Sequence, residues 1–239
     1  MRTMSFPGFV RAVFFAMAAA ACNPVYAPPV RTMHAGAPGR VRQGDGEVGG
    51  TRAGLTYPTA GSLHVAVGVR DWVSMEAGGT FIVAPAGPTE PSIVMGWAGT
   101  RFTLPRRRNG PSLLLDGELG VGAGVGGSLC IRNAQGADVC DADGRRWYDR
   151  GAFGGYEGGG IGFGYEWFSL YGRARVEESV ATGIPVTYWP SLMLGLGFDL
   201  GPRVSLDLGG GYLGYFNEKD HTDGWFYQLG VSGRFGRAK

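Results

Sequence analysis

Residues 112–126 read Ser-Leu-Leu-Leu-Asp-Gly-Glu-Leu-Gly-Val-Gly-Ala-Gly-Val-Gly. Leu113, Leu115, Leu119, Val121, Ala123 and Val125 fall on one parity. Ser112, Asp116, Glu118, Gly120, Gly122 and Gly124 fall on the other, with Leu114 the exception. Side chains of an extended chain point alternately to its two faces, so this period of two predicts a β-strand with one apolar and one polar face. The pattern returns at Val204, Leu206 and Leu208 against Ser205, Asp207 and Gly209, and at Trp225, Tyr227, Leu229 and Val231 against Gln228, Gly230, Ser232 and Arg234.

Ten strands of this kind are expected, near residues 47–57, 63–69, 73–83, 92–104, 113–126, 158–165, 167–176, 186–200, 203–215 and 225–235. An eight-strand version leaves 47–57 outside the sheet. Short connections at 70–72, 105–111, 165–167 and 201–202 alternate with longer polar or Gly/Pro-rich ones at 84–91, 127–157, 177–185 and 216–224. Short turns on one side and long loops on the other are the rhythm of a membrane-spanning barrel. Trp72, Trp97, Trp167, Tyr188, Trp189, Tyr212, Tyr215, Trp225 and Tyr227 fall mostly near strand ends, as in the aromatic girdles of such barrels. A soluble sandwich or lipocalin-like barrel also alternates, but with its apolar face inward. Here the polar parity is mostly glycine, too sparse in charge to solubilise an exterior.

Residues 1–21 read as a signal peptide: Arg2 and Arg11 precede an apolar run at 13–21, too short for the ~20 residues of a spanning helix. Ala19-Ala20-Ala21-Cys22 resembles a bacterial lipobox, which predicts lipidation of Cys22. Val25-Tyr26-Ala27, followed by Pro28, offers ordinary signal-peptidase processing as the alternative. Residues 22–46, rich in Pro, Gly and Ala and without periodicity, are expected to be a flexible tether to a barrel spanning 47–239.

The chain holds 3 cysteines. With Cys22 lipidated, Cys130 and Cys140 form a natural disulfide pair in an oxidising compartment, closing a loop at a gain of roughly 3 kcal/mol. No cysteine or histidine has metal-ligand spacing, so neither a metal nor a cofactor is expected. The 22 basic and 20 acidic residues become balanced once Arg2 and Arg11 leave with the leader, so no basic field calls for nucleic acid.

Inward parity collects Arg70, Glu76, Asp116, Glu118, Arg173, Asp199, Asp207, Gln228 and Arg234. Charges confined in a narrow lumen are expected to pair with one another and plug it. The glycines of the same face, among them Gly120, Gly122, Gly124, Gly160, Gly162, Gly195, Gly197, Gly209 and Gly211, leave either open space or room for tight sheet coiling. Arg106-Arg107-Arg108 reads as a solvated basic turn near lipid phosphates, or as a docking point for an acidic periplasmic partner. Residues 154–160, though glycine-rich, lack the strand–loop–helix setting of a nucleotide loop.

The leader, the alternation, the turn–loop rhythm and the near-terminal Phe235 resemble the small outer-membrane β-barrel superfamily of Gram-negative bacteria. The resemblance implies a closed antiparallel barrel in the outer membrane, in contact with lipid and lipopolysaccharide, with periplasmic or outer-membrane proteins as further partners. The residues after Phe235, Gly236-Arg237-Ala238-Lys239, depart from the family habit of ending on an aromatic. Asp220, His221 and Asp223 lack the separate acidic pair of omptin-like proteases. Neither His64 nor His221 has the serine two residues on that lipid A deacylase-like barrels use. Catalysis is therefore not expected. Two functions follow from the pattern: a structural or interaction component of the envelope, as a subunit of a larger assembly, or a passive pore or binder for small solutes or apolar molecules.

Overall fold

The computed structural model describes residues 29–31, 36–55, 59–83, 91–106, 110–126, 131–132, 138–139, 150–181, 184–218 and 221–236. Among them the chain forms β1 (Asp45–Leu55), β2 (Thr59–Arg70), β3 (Val73–Val83), β4 (Pro91–Thr103), β5 (Pro111–Gly126), β6 (Ile131–Arg132), β7 (Asp138–Val139), β8 (Arg150–Tyr165), β9 (Phe168–Ala181), β10 (Ile184–Tyr188), β11 (Ser191–Asp199), β12 (Val204–Phe216) and β13 (His221–Gly236). No helix occurs among the described residues. β6 and β7 pair only with each other, outside the main sheet.

The main sheet is antiparallel and closed. β1 pairs with β2 on one side and with β13 on the other, from Asp45↔Gly236 to Leu55↔Phe226. β10 and β11 share one position between β9 and β12, so the wall has ten strand positions with one of them split. The split falls at Trp189-Pro190, with a register shift between Ile184 and Thr187. Pro185 and Pro190 have no N–H to give to the ladder, which explains both irregularities. Trp189 bridges the gap by exchanging backbone hydrogen bonds with Glu177.

Sidedness decides the environment. Leu63, Val65 and Val67 face out while His64 and Ala66 are buried, and Leu194 is 69% exposed beside a fully buried Met193. The exterior carries the large apolar side chains of every long strand, and the interior carries Glu47, Glu76, Arg101, Asp116, Glu118, Arg173, Arg175, Glu177 and Asp207. A soluble barrel would be the reverse. A lipid-facing sheet must also be closed, because an open edge would leave backbone groups without partners in hydrocarbon.

Several boundaries differ from expectation. β8 starts at Arg150 and β9 runs to Ala181, so much of 150–157 and 177–181 is wall and not loop. Gly154-Gly155 and Gly158-Gly159-Gly160 hide the period of two there, because glycine signals neither face. The first strand belongs to the barrel, which removes the eight-strand version. Trp97 is no girdle residue: it is 5% exposed and points inward, whereas Trp72, Trp167, Tyr188, Tyr212, Trp225 and Tyr227 are exposed on the outer face or at the strand ends.

Candidate functional site in the barrel lumen

The sequence reading makes residues 22–46 a tether outside the barrel. Residues 29–31 and 36–40 of that stretch lie buried inside it. Residues 29–31 and 36–44, here called the inner segment, enter beside the β2–β3 turn, where Gly44 N–H donates to the Gly68 carbonyl and Asp45 N–H to that of Arg42. Arg40 then reaches Asp207 and Asp199, and Arg31 lies further in, against Glu76 and Glu118. The segment thus runs from the short-turn end of the barrel toward the long-loop end. Pro38-Gly39 makes the bend before Arg40, and Gly39 has φ +77°, a conformation that other residues rarely adopt.

The tether reading fails because Pro/Gly-rich composition describes local stiffness, not the partners a chain meets. Inside the barrel the irregular backbone is satisfied by wall residues. Arg175 Nη1 donates to the Arg31 carbonyl at 3.2 Å, Arg173 Nη1 to that of Gly36 at 2.8 Å, and Arg31 N–H donates to Glu177 Oε2 at 3.0 Å. Non-regular backbone at membrane depth requires this kind of enclosure. Lumen glycines supply the room. A β-carbon on Gly68 would run into the Arg42 carbonyl, and β-carbons on Gly122 and Gly154 would come 2.6 and 2.7 Å from Val30. The bare glycine face is therefore filled by the chain's own residues. A cavity of only about 10 Å³ is left between residues 36–41 and the wall, room for about one water at most.

Two ion-pair groups hold the segment. In the inner group, Arg31 Nη2 lies 2.9 Å from Glu76 and Nη1 3.5 Å from Glu118 and 3.3 Å from the Tyr156 hydroxyl. The Arg31 guanidinium sits over the Trp97 ring, 3.9 Å from its centroid. Arg101 pairs with Glu76 at 3.0 Å, Arg173 with Asp116 at 3.0 Å, and Arg175 with Glu118 at 2.6 Å. In the outer group, at the short-turn end, Arg40 pairs with Asp207 and Asp199, and Tyr171 donates to Asp207 at 3.3 Å. Arg106 and Arg234 reach Asp199 at 3.0 and 3.1 Å.

Glu76, Asp116, Glu118, Arg173, Asp207 and Gln228 lie buried in the lumen, and Asp199 and Arg234 are half-buried at its short-turn end. Arg70 is a correction. It is exposed, because the ladder shifts register between Gly68 and Arg70 and so breaks the parity that assigned it inward. Arg106 is a second correction to the solvated basic turn. It folds into the barrel mouth, pairing with Asp199 and donating to the carbonyls of Glu166 and Phe168. Cys22, Cys130 and Cys140, and with them the lipid and disulfide expectations, lie outside the described residues, as does the leader. Sequence reasoning missed Arg31 and Arg40, whose stretch has no period. It also missed Trp97, Tyr156, Arg101, Arg175 and Glu177. Of these, Arg175 and Glu177 share the inward parity of Arg173, and extending the alternation along β9 would have found them.

An apolar exterior around a closed, charge-filled interior is the architecture of a barrel surrounded by lipid. The chain is a closed antiparallel β-barrel with its apolar face outward. No family model and no curated protein sequence matches it. Among solved structures it is similar to the N-terminal β-barrel domain of Pseudomonas aeruginosa OprF, with 9% identity, TM-score 0.40, and coverage of 81% of this chain and 98% of that one. It is also similar to the outer membrane protease OmpT of Escherichia coli, at 10% identity, TM-score 0.32, and coverage of 82% and 94%. Neisserial surface protein A matches at 10% identity, TM-score 0.19, and coverage of 81% and 95%. At these TM-scores the likenesses carry no argument about this chain. One expectation is withdrawn: the sequence reading has no enzyme, whereas the barrels it is similar to include an outer membrane protease.

Proposed function

We propose that this cell-envelope barrel is a closed structural or interaction component, working as a subunit of a larger envelope assembly. The observation that supports this reading is the filled lumen: the inner segment and its ion pairs occupy the path a solute would take. Buried arginines matched by carboxylates are costly to separate, because withdrawing one partner strands a charge in a poorly hydrated interior. With the lumen taken, contact falls to the lipid-facing wall and to the two ends. Lipid and lipopolysaccharide meet the wall on this reading, and protein partners meet the ends. The competing pore reading makes the opposite statement about current. Purified full-length protein in planar bilayers should show no steady conductance. Ohmic steps persisting at low voltage would overturn the closed reading in favour of the pore.

A further inference from the structure

The cradle around Arg31 belongs to the wall. Glu76, Arg101 and Glu118 come from β3, β4 and β5, Trp97 from β4, Tyr156 from β8, and Arg173, Arg175 and Glu177 from β9. Among the described residues the inner group sets four arginines, Arg31, Arg101, Arg173 and Arg175, against four carboxylates, Glu76, Asp116, Glu118 and Glu177. Among the described residues, the wall without Arg31 keeps three arginines of this group against four carboxylates. An uncompensated carboxylate in a dry interior is strongly unfavourable and draws a cation.

The geometry also selects which cation. Trp97 offers a flat ring face at 3.9 Å from the Arg31 carbon centre, with Tyr156 on a second side at 5.3 Å. Glu76 and Glu118 accept from two different nitrogens of the same group. A flat, weakly hydrated fork satisfies a ring face and two separate acceptors together, whereas an ammonium is compact and strongly hydrated.

We propose that the barrel wall carries a guanidinium-binding site, that Arg31 is its intramolecular occupant, and that a guanidinium group from another molecule takes the same place when Arg31 is absent. This rests on the filled-lumen reading and adds the chemical class that the lumen recognises. Two sources share that chemistry: a small guanidinium compound and an arginine side chain of a peptide.

The test uses full-length Arg31→Ala folded in detergent, scored by the temperature at which the folded band is lost on heat-modified gels. Ethylguanidinium should raise that temperature for Arg31→Ala in the millimolar range and leave the wild type unmoved. Ethylammonium at equal ionic strength should need about tenfold more, because it is more strongly hydrated and cannot lie flat on the ring while reaching both acceptors. Adding Trp97→Leu should abolish the preference. A synthetic peptide of residues 29–33 acting below the ethylguanidinium concentration points to a polypeptide source, and no added effect of the peptide points to a small compound. If Arg31→Ala does not fold, refolding with ethylguanidinium present is the same experiment, and recovery of the folded band supports the site. Equal responses to the two cations, equal responses of variant and wild type, or refolding failure at every concentration while Arg31→Lys folds would each overturn it. None of these outcomes depends on whether the wild type conducts, so the closed-barrel reading stands or falls separately.

Discussion

The two ends of the inner segment are held by the same kind of contact but with different charge balance. Around Arg31 the described residues give four arginines and four carboxylates, all nearly inaccessible to water. Around Arg40 the described residues set three arginines, Arg40, Arg106 and Arg234, on Asp199, while Asp207 is paired with Arg40 alone. Asp199 keeps 15% of its side chain exposed. Losing Arg31 leaves Glu76 paired with Arg101 and Glu118 with Arg101, Arg173 and Arg175, but three arginines then face four carboxylates among the described residues of a group closed to water. Losing Arg40 leaves Asp199 with Arg106 and Arg234, while the buried Asp207 keeps the Tyr171 hydroxyl as its donor. A buried pair is thus not characterised by its distance alone, because what remains after its removal sets the cost.

That difference can be broken by measurement. Arg31→Ala should lower the unfolding free energy of the barrel by about 3–5 kcal/mol, the usual cost of leaving a buried partner uncompensated. A urea titration followed by gel migration of the folded form reads it, and a loss below that of Arg40→Ala would defeat the charge-balance argument.

Arg40→Ala should cost less, about 1.5–3 kcal/mol, the worth of charged hydrogen bonds, because Asp207 keeps the Tyr171 hydroxyl and Asp199 its other arginines. Arg106 and Arg234 already sit on Asp199. The double variant Arg40→Ala/Arg234→Ala removes that reserve and should cost more than the sum of its singles, which a double-mutant cycle checks.

The smallest effect is expected from glycine. Gly68→Ala presses only on the inner segment, since the nearest atoms to its β-carbon belong to Arg42 and Gln43. It should cost about 1–3 kcal/mol, the usual range of overpacking, because the Arg42 backbone has to move aside. Gly79→Ala, whose β-carbon comes no closer than 3.7 Å to the Met95 carbonyl, should be indistinguishable from wild type in the same titration. A Gly68→Ala loss as large as that of Arg31→Ala would mean that the mouth, not the inner group, anchors the segment.

The strands were legible because their signal is local. From Leu113 to Val125 each residue's face follows from its neighbour's, and the structure places Leu113, Leu115, Leu119, Val121 and Val125 outside. The one exception had a tertiary reason: Leu114 faces inward, fully buried, and packs with Ala37 of the inner segment, Tyr171, Met193 and Phe226. The local signal failed where glycine blurred it, in the first half of β8, and where a ladder irregularity shifted it, at Arg70.

By itself, then, the sequence determined the wall: closed antiparallel strands, their alternation, and the side that meets lipid, all written in a period of two. The content of the lumen was decided only by the tertiary structure. Arg31 and Glu177 meet across 146 positions of sequence, and Arg40 and Asp207 across 167. Neither Pro/Gly-rich composition nor parity encodes such a pairing. It exists because a closed wall concentrates carboxylates in a space that excludes water, and the chain's own Arg31 and Arg40 supply charge to match them.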